Sequence, residues 1–177
     1  MSRKIIFTGE IDNTVAEYII QHIEAFNDAD AGKPISERDP IELIITSEGG
    51  CVSSGFAIVD TMEGSKTPII THARGIVASM ALGIFVAGNH RKTGRHTRFM
   101  YHSVNYGMDG TLLSHKRQIL EVDKMQEMYD KLIIERSGLT LEELDEIKNS
   151  EKNHFFSALE AKKYGVVDEI VVRSKRG

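Results

Sequence analysis

Cys51 is the only cysteine in 177 residues, so no disulfide can form within the chain, and a reducing compartment suits it. Long apolar runs are also missing. The start, Met1-Ser2-Arg3-Lys4, has a charged head but only a few apolar residues before Glu10, too few for a signal peptide or a membrane span. The expected setting is therefore cytoplasmic, away from membranes. Basic charge is not in excess: 22 Lys and Arg face 26 Asp and Glu, a net charge of -4, which gives no electrostatic reason to expect nucleic acid. Arg173, Lys175 and Arg176 read as a solvated tail. There is no internal repeat, no low-complexity tract and no G-x-x-x-x-G-K-[ST] phosphate loop. Nothing in the residue pattern calls for a cofactor or a metal. The length supports one full hydrophobic core and is short for two, so residues 1–177 are expected to form a single domain.

What is present alternates between two periods. Lys4 to Thr8 reads as a strand, and Asp12-Asn13-Thr14 supplies cap residues before Ala16, Ile19, Ile20, Ile23 and Phe26 at helical spacing. A polar loop from about Asn27 to Pro40 precedes a strand from Ile41 to Thr46. Ser47-Glu48-Gly49-Gly50 ends that strand, and Phe56, Val59 and Met62 mark the next helix, which makes a crossover unit. Pro68 to Ala73 reads as a mostly buried strand, Ala78 to Ala87 as a helix with almost no polar face, and Thr97 to Tyr101 as a short strand. The longest helix runs from Leu113 to about Arg136. Its stripe of Ile119, Val122, Met125, Met128, Tyr129, Leu132 and Ile133 is expected to be mostly core within the chain. Gly138 stops it. Thr140 with Glu143 and Ser157 with Glu160 are capping-box pairs, and Val166 to Val172 is the last strand. Alternating strands and helices make the fold class α/β.

Two residues stand out as carriers of chemistry. Ser79 opens the apolar helix inside Gly75-Ile76-Val77-Ala78-Ser79-Met80-Ala81-Leu82-Gly83. It reads either as a simple N-cap or as a nucleophile beside a helix N-terminus, whose free N–H groups can stabilise an oxyanion. His102 closes the apolar strand Phe99-Met100-Tyr101, where a fixed imidazole suits a general base. The paired glycines at 49 and 50 read as a turn or as bare backbone that can approach a ligand.

Several ordered motifs at matching spacings resemble the Clp proteolytic subunit (ClpP) family of self-compartmentalising serine peptidases. They are Ile5-Ile6-Phe7-Thr8-Gly9, Ile44-Ile45-Thr46-Ser47-Glu48-Gly49-Gly50, Ala78-Ser79-Met80, Arg98-Phe99-Met100-Tyr101-His102, Phe156-Ser157-Ala158 and Tyr164-Gly165-Val166-Val167-Asp168. The resemblance implies a ClpP/crotonase-like spiral of repeated strand-strand-helix units, a single domain with a protruding handle helix. It implies Ser79 as nucleophile, His102 as general base, and the N–H groups of Gly50 and Met80 as the oxyanion hole. It further implies self-association into heptameric rings stacked as a tetradecamer through the long helix and the strand before it, peptide substrates, and a partner AAA+ unfoldase that supplies any ATP use.

Three departures qualify that implication. The family's acidic triad position falls on Asn153, which can orient a histidine but cannot support its positive charge. Glu48 stands where a proline usually precedes the double glycine, and Ser103-Val104 stands where Gln-Pro usually follows the histidine, which bears on substrate preference. The segment ahead of the first core strand, which forms axial pore loops in the family, is not expected here, and this leaves docking of an unfoldase open. Two alternatives to a serine endopeptidase are a non-catalytic ring subunit or scaffold, and a crotonase-type acyl-CoA enzyme that would not need the Ser79 and His102 pair.

Overall fold

The computed structural model describes residues 3–150 and 153–172. In β1 (Lys4–Thr8) Ile5 and Phe7 are buried while Lys4, Ile6 and Thr8 face out, the period of two that a half-covered strand requires. Asp12 caps α1 (Asn13–Ala29): its Oδ1 accepts the Val15 N–H at 2.8 Å, and Ala16, Ile19 and Ile23 form the buried face. β2 (Ile41–Ser47) is buried along almost its whole length, as a central strand covered on both faces must be. Strands β1 and β2 are parallel, as are β2 and β3 (Ile69–Ala78), so each link needs a crossover helix; α1 supplies the first and α2 (Val52–Gly64) the second.

The sheet has seven strands among the described residues, and it forks at β3. The first half of β3, Ile70 to Ala73, pairs with β4 (His90–Gly94), whereas its second half, Ile76 to Ala78, pairs with β5 (Arg98–Tyr101). Gly75 lies between the halves at φ +65°, and the register against β2 shifts there. The hydroxyls of Thr93 and Thr97 both reach the Ala73 carbonyl, at 3.5 and 3.2 Å, and so pin the two branches to the fork. One branch continues from β4 to β7 (Glu169–Val171). Here Asp168 accepts from the Arg91 backbone and twice from its guanidinium, at 2.6 to 2.8 Å. The other continues from β5 to β6 (His154–Ser157), the one antiparallel pairing among the described strands.

Strand β3 runs five residues beyond the expected Ala73, because a glycine that adopts positive φ bends the strand without ending it. Helix α3 (Met80–Val86) consequently starts two residues later than expected, and all seven of its residues are buried. Strand β4 has no apolar alternation in His-Arg-Lys-Thr-Gly to announce it. In helix α4 (Leu112–Glu135) most of the expected stripe is covered by the chain, with Val122 and Met125 half-buried. Tyr129, Leu132 and Ile133 are buried, but Ile119 and Met128 are 41% and 52% exposed, beside Leu112, Leu113 and Leu120. Its fully buried residues all lie in the C-terminal turns. Residues 102–109 ahead of it form no strand, so the strand half of the expected handle is irregular here. Both capping boxes are present, at Thr140 with Glu143 before α5 (Leu141–Ser150) and at Ser157 with Glu160 before α6 (Ala158–Lys163).

Candidate active site

Ser79 connects β3 to α3 at φ 52° and ψ -134°, and it is the only non-glycine residue at positive φ among the described residues. An L-residue there is strained, and the surrounding contacts hold it: its N–H donates to the Met100 carbonyl at 2.9 Å, and its carbonyl accepts the Tyr129 hydroxyl at 2.8 Å. It occupies the N-cap position of α3 but makes no capping bond. Its Oγ lies instead 2.7 Å from His102 Nε2. The hydroxyl therefore faces the histidine and not the helix amides. The turn throws the hydroxyl out beside the start of a buried helix, the geometry of a nucleophile elbow.

The double glycine lies against this turn. A Cβ on Gly49 would sit 2.6 Å from Ser79 Cβ and 2.9 Å from the Ala78 carbonyl, so only glycine allows the approach. Gly50 forms a parallel bridge with Ile11: the Ile11 N–H donates to Gly49 O, and the Cys51 N–H to Ile11 O, both at 2.8 Å. In a parallel bridge of this register the central residue's own N–H points to the opposite edge, which leaves the Gly50 amide for the cavity it lines. Met80 supplies the first amide of α3, where no carbonyl precedes it in the helix. Gly50, Ser79, Met80 and His102 border one cavity of about 270 Å³, with Glu48 and Val104 on its rim. A carbonyl placed there meets a hydroxyl, an imidazole and backbone N–H donors, the set needed for acyl transfer.

Asn153 is placed differently. The β5–β6 register pairs Tyr101 with His154, and its continuation by one residue sets Asn153 opposite His102. Its side chain is nevertheless exposed and forms no hydrogen bond with His102 among the described residues. Asn105 Nδ2 lies 3.2 Å from His102 Nδ1. Sequence reasoning missed Asn105, because no periodicity shows how an irregular segment turns back on the residue that begins it.

A buried polar network supports this wall of the cavity. Tyr101, the residue before His102, donates its hydroxyl to Asp130, which also accepts from Lys148 at 2.7 Å and from Gln126 Nε2 at 2.6 Å. Gln126 Oε1 in turn accepts the Val104 N–H at 2.6 Å, which tethers the segment carrying Asn105 to α4. Burial, and then Asp130, raises the Tyr101 hydroxyl far above its ordinary range, and burial does the same for Tyr129. Both phenols stay protonated and act as donors. Among the described residues, no group of three or more His, Cys, Asp or Glu could hold a metal ion, and no helix is long and apolar enough to cross a membrane.

Comparison with known proteins identifies the family of the chain. The family model for Clp protease matches residues 1–174. The chain is similar to an ATP-dependent Clp protease proteolytic subunit 3 of Rhodococcus jostii, with 33% identity over 171 residues, covering 96% of this chain and 81% of that protein. It is likewise similar to an ATP-dependent Clp protease proteolytic subunit 2 of Corynebacterium glutamicum, with 33% identity over 174 residues, covering 97% and 83%. With the matched family spanning both branches of the sheet and the Ser79 turn, this chain belongs to the Clp protease family.

Proposed function

We propose that the chain is a serine endopeptidase that cleaves peptides and unfolded proteins. The observation that carries the reading is the 2.7 Å contact of Ser79 Oγ with His102 Nε2 at a strained turn. Ser79 Oγ attacks the scissile carbonyl carbon while His102 Nε2 takes its proton. The oxyanion so formed is held by the N–H groups of Gly50 and Met80. His102 then protonates the departing amine, and water repeats the sequence to release the acyl group.

The exposed apolar side of α4, with Leu112, Leu113, Leu120 and Met128, supports association between copies. We infer heptameric rings stacked in pairs as a tetradecamer, working in the cytoplasm with an AAA+ unfoldase, from the family and from the names of its relatives. Asn153 in the acidic position favours a second reading, a non-catalytic ring subunit or scaffold.

Intact-mass measurement after a fluorophosphonate separates the two. One adduct, mapped to Ser79 and lost in Ser79→Ala, together with peptide cleavage lost in the same variant, is the outcome expected of the peptidase. Assembled protein that takes no label and cleaves nothing is the scaffold.

A further inference from the structure

The turn after β2 holds one carboxylate at the mouth of the reaction cavity. Its backbone is fixed from both sides: the Gly49 N–H donates to the Ser47 hydroxyl at 3.0 Å, and the Gly49 carbonyl accepts the Ile11 N–H at 2.8 Å. Ser47 and Gly49 are buried, while Glu48 between them is exposed, so its side chain projects from a rigid base. Glu48 borders the cavity of about 270 Å³ that holds Ser79 and His102, and also a second one of about 530 Å³ that shares Gly50 with it. Among the described residues no ion pair or hydrogen bond engages the Glu48 carboxylate, and neither cavity is bordered by Lys or Arg. The other carboxylate nearby is Glu10, which borders the second cavity only and whose Cγ would lie 3.0 Å from a Cβ placed on Gly50.

The remaining wall of the reaction cavity is largely apolar. Val52, Met80, Val104 and Tyr129 line it beside the catalytic pair. A long side chain with an apolar stem and a cationic end matches that surface, since its methylenes cover the wall while its charge reaches the rim. A short apolar side chain leaves the carboxylate in water. An acidic one meets like charge.

We propose that Glu48 is a specificity-determining residue that selects Arg or Lys at the position whose carbonyl Ser79 attacks. This rests on the serine peptidase reading and names its substrate class, peptides cut after a basic residue. So small a cavity puts the rim carboxylate and the scissile carbonyl within the span of one extended Arg or Lys side chain. A guanidinium can meet the carboxylate through two parallel N–H donors, which favours Arg over Lys. The pair forms at a cavity mouth, between the weak pairs of a free surface and the strong ones of a dry interior. An effect of roughly tenfold is the expectation there, reduced by salt because the mouth is open to solvent.

The test compares full-length wild type, Glu48→Gln, Glu48→Lys and Glu10→Gln on peptidyl aminocoumarin amides that differ only in the residue before the cut: Arg, citrulline, Gln or Glu. Citrulline keeps the shape of Arg without its charge, and the coumarin adds no residue after the cut, so only the acyl side is read. Wild type is expected to favour Arg over citrulline about tenfold in kcat/KM at about 0.05 M salt, and about threefold at about 0.5 M. Glu48→Gln is expected to bring that ratio to about one, and Glu48→Lys to reverse the order so that the Glu substrate is cut faster than the Gln one. Glu10→Gln is expected to keep most of the preference. Fluorophosphonate labelling of Ser79 is followed in every variant.

An Arg-to-citrulline ratio within twofold of one in wild type that still labels at Ser79 would overturn the proposal and leave the peptidase reading intact. So would a preference that Glu48→Gln retains, or one that Glu10→Gln removes. A wild-type preference that does not fall with salt would overturn it without reference to any variant. Wild-type protein that assembles but neither labels nor cleaves any of the four substrates would remove both the peptidase reading and the specificity.

Discussion

The strain at Ser79 makes a prediction whose sign is unusual. Replacing an alanine by glycine ordinarily lowers stability by about 0.5–1 kcal/mol, because glycine loses more freedom on folding. At φ 52° and ψ -134° the order should reverse. An L-residue in such a sparsely populated region costs on the order of 1–3 kcal/mol, which glycine does not incur. Ser79→Ala and Ser79→Gly both lose the hydroxyl and its contact with His102, so those effects cancel. The difference leaves the glycine variant more stable by about 1 kcal/mol, roughly 2–4 °C in Tm for a chain of this length. Melting curves must be taken at matched protein concentration, since association of copies raises Tm by mass action. Peptide cleavage should be at background in both variants. An alanine variant that melts at or above the glycine variant would refute the claim that the Ser79 backbone stores strain.

Gly49→Ala places a Cβ 2.6 Å from Ser79 Cβ at φ +107°; it should lose about 2–5 kcal/mol of stability and about a hundredfold in kcat, read by denaturant titration and initial rates. Normal kcat in that variant would mean that the glycine does not set the position of Ser79. Acid should weaken the fold through Asp30 and Asp168. Hydrogen bonds from Arg3 and then Lys33 hold the Asp30 carboxyl below its ordinary 3.8, and those from Arg91 do the same for Asp168. Folded values below the unfolded ones give stability that is complete above about pH 5 and lost as pH falls through 4 and below. The denaturant midpoint should therefore be flat from pH 6 to 5 and drop by pH 3, with a smaller drop in Asp168→Asn; equal midpoints at pH 6 and 3 would contradict this.

Much of this molecule was legible in its local patterns. Asp12 before Ala16, Ile19 and Ile23 marks α1, and the unbroken apolar run from Met80 marks a helix that has no face to show to water; both are consequences of neighbours within a few positions. The two capping boxes and the Gly49-Gly50 turn are local in the same sense. Ser79 and His102 each stand out locally, one opening an apolar helix and one closing an apolar strand, and the family resemblance paired them. Other features depend on contacts between distant segments, which no local period encodes. Strand β4 is polar and exists because β3 and β7 flank it, with Arg91 tied to Asp168 77 residues away. The same holds for the exposure of the first turns of α4, where an apolar stripe looks the same whether its partner is its own core or another copy. The sequence alone determined that a hydroxyl would open an apolar helix and that an imidazole would close an apolar strand. Only the tertiary structure decided that the hydroxyl abandons its cap for the imidazole, and that the amide reaching the imidazole's far side comes from Asn105, where the chain folds back on His102.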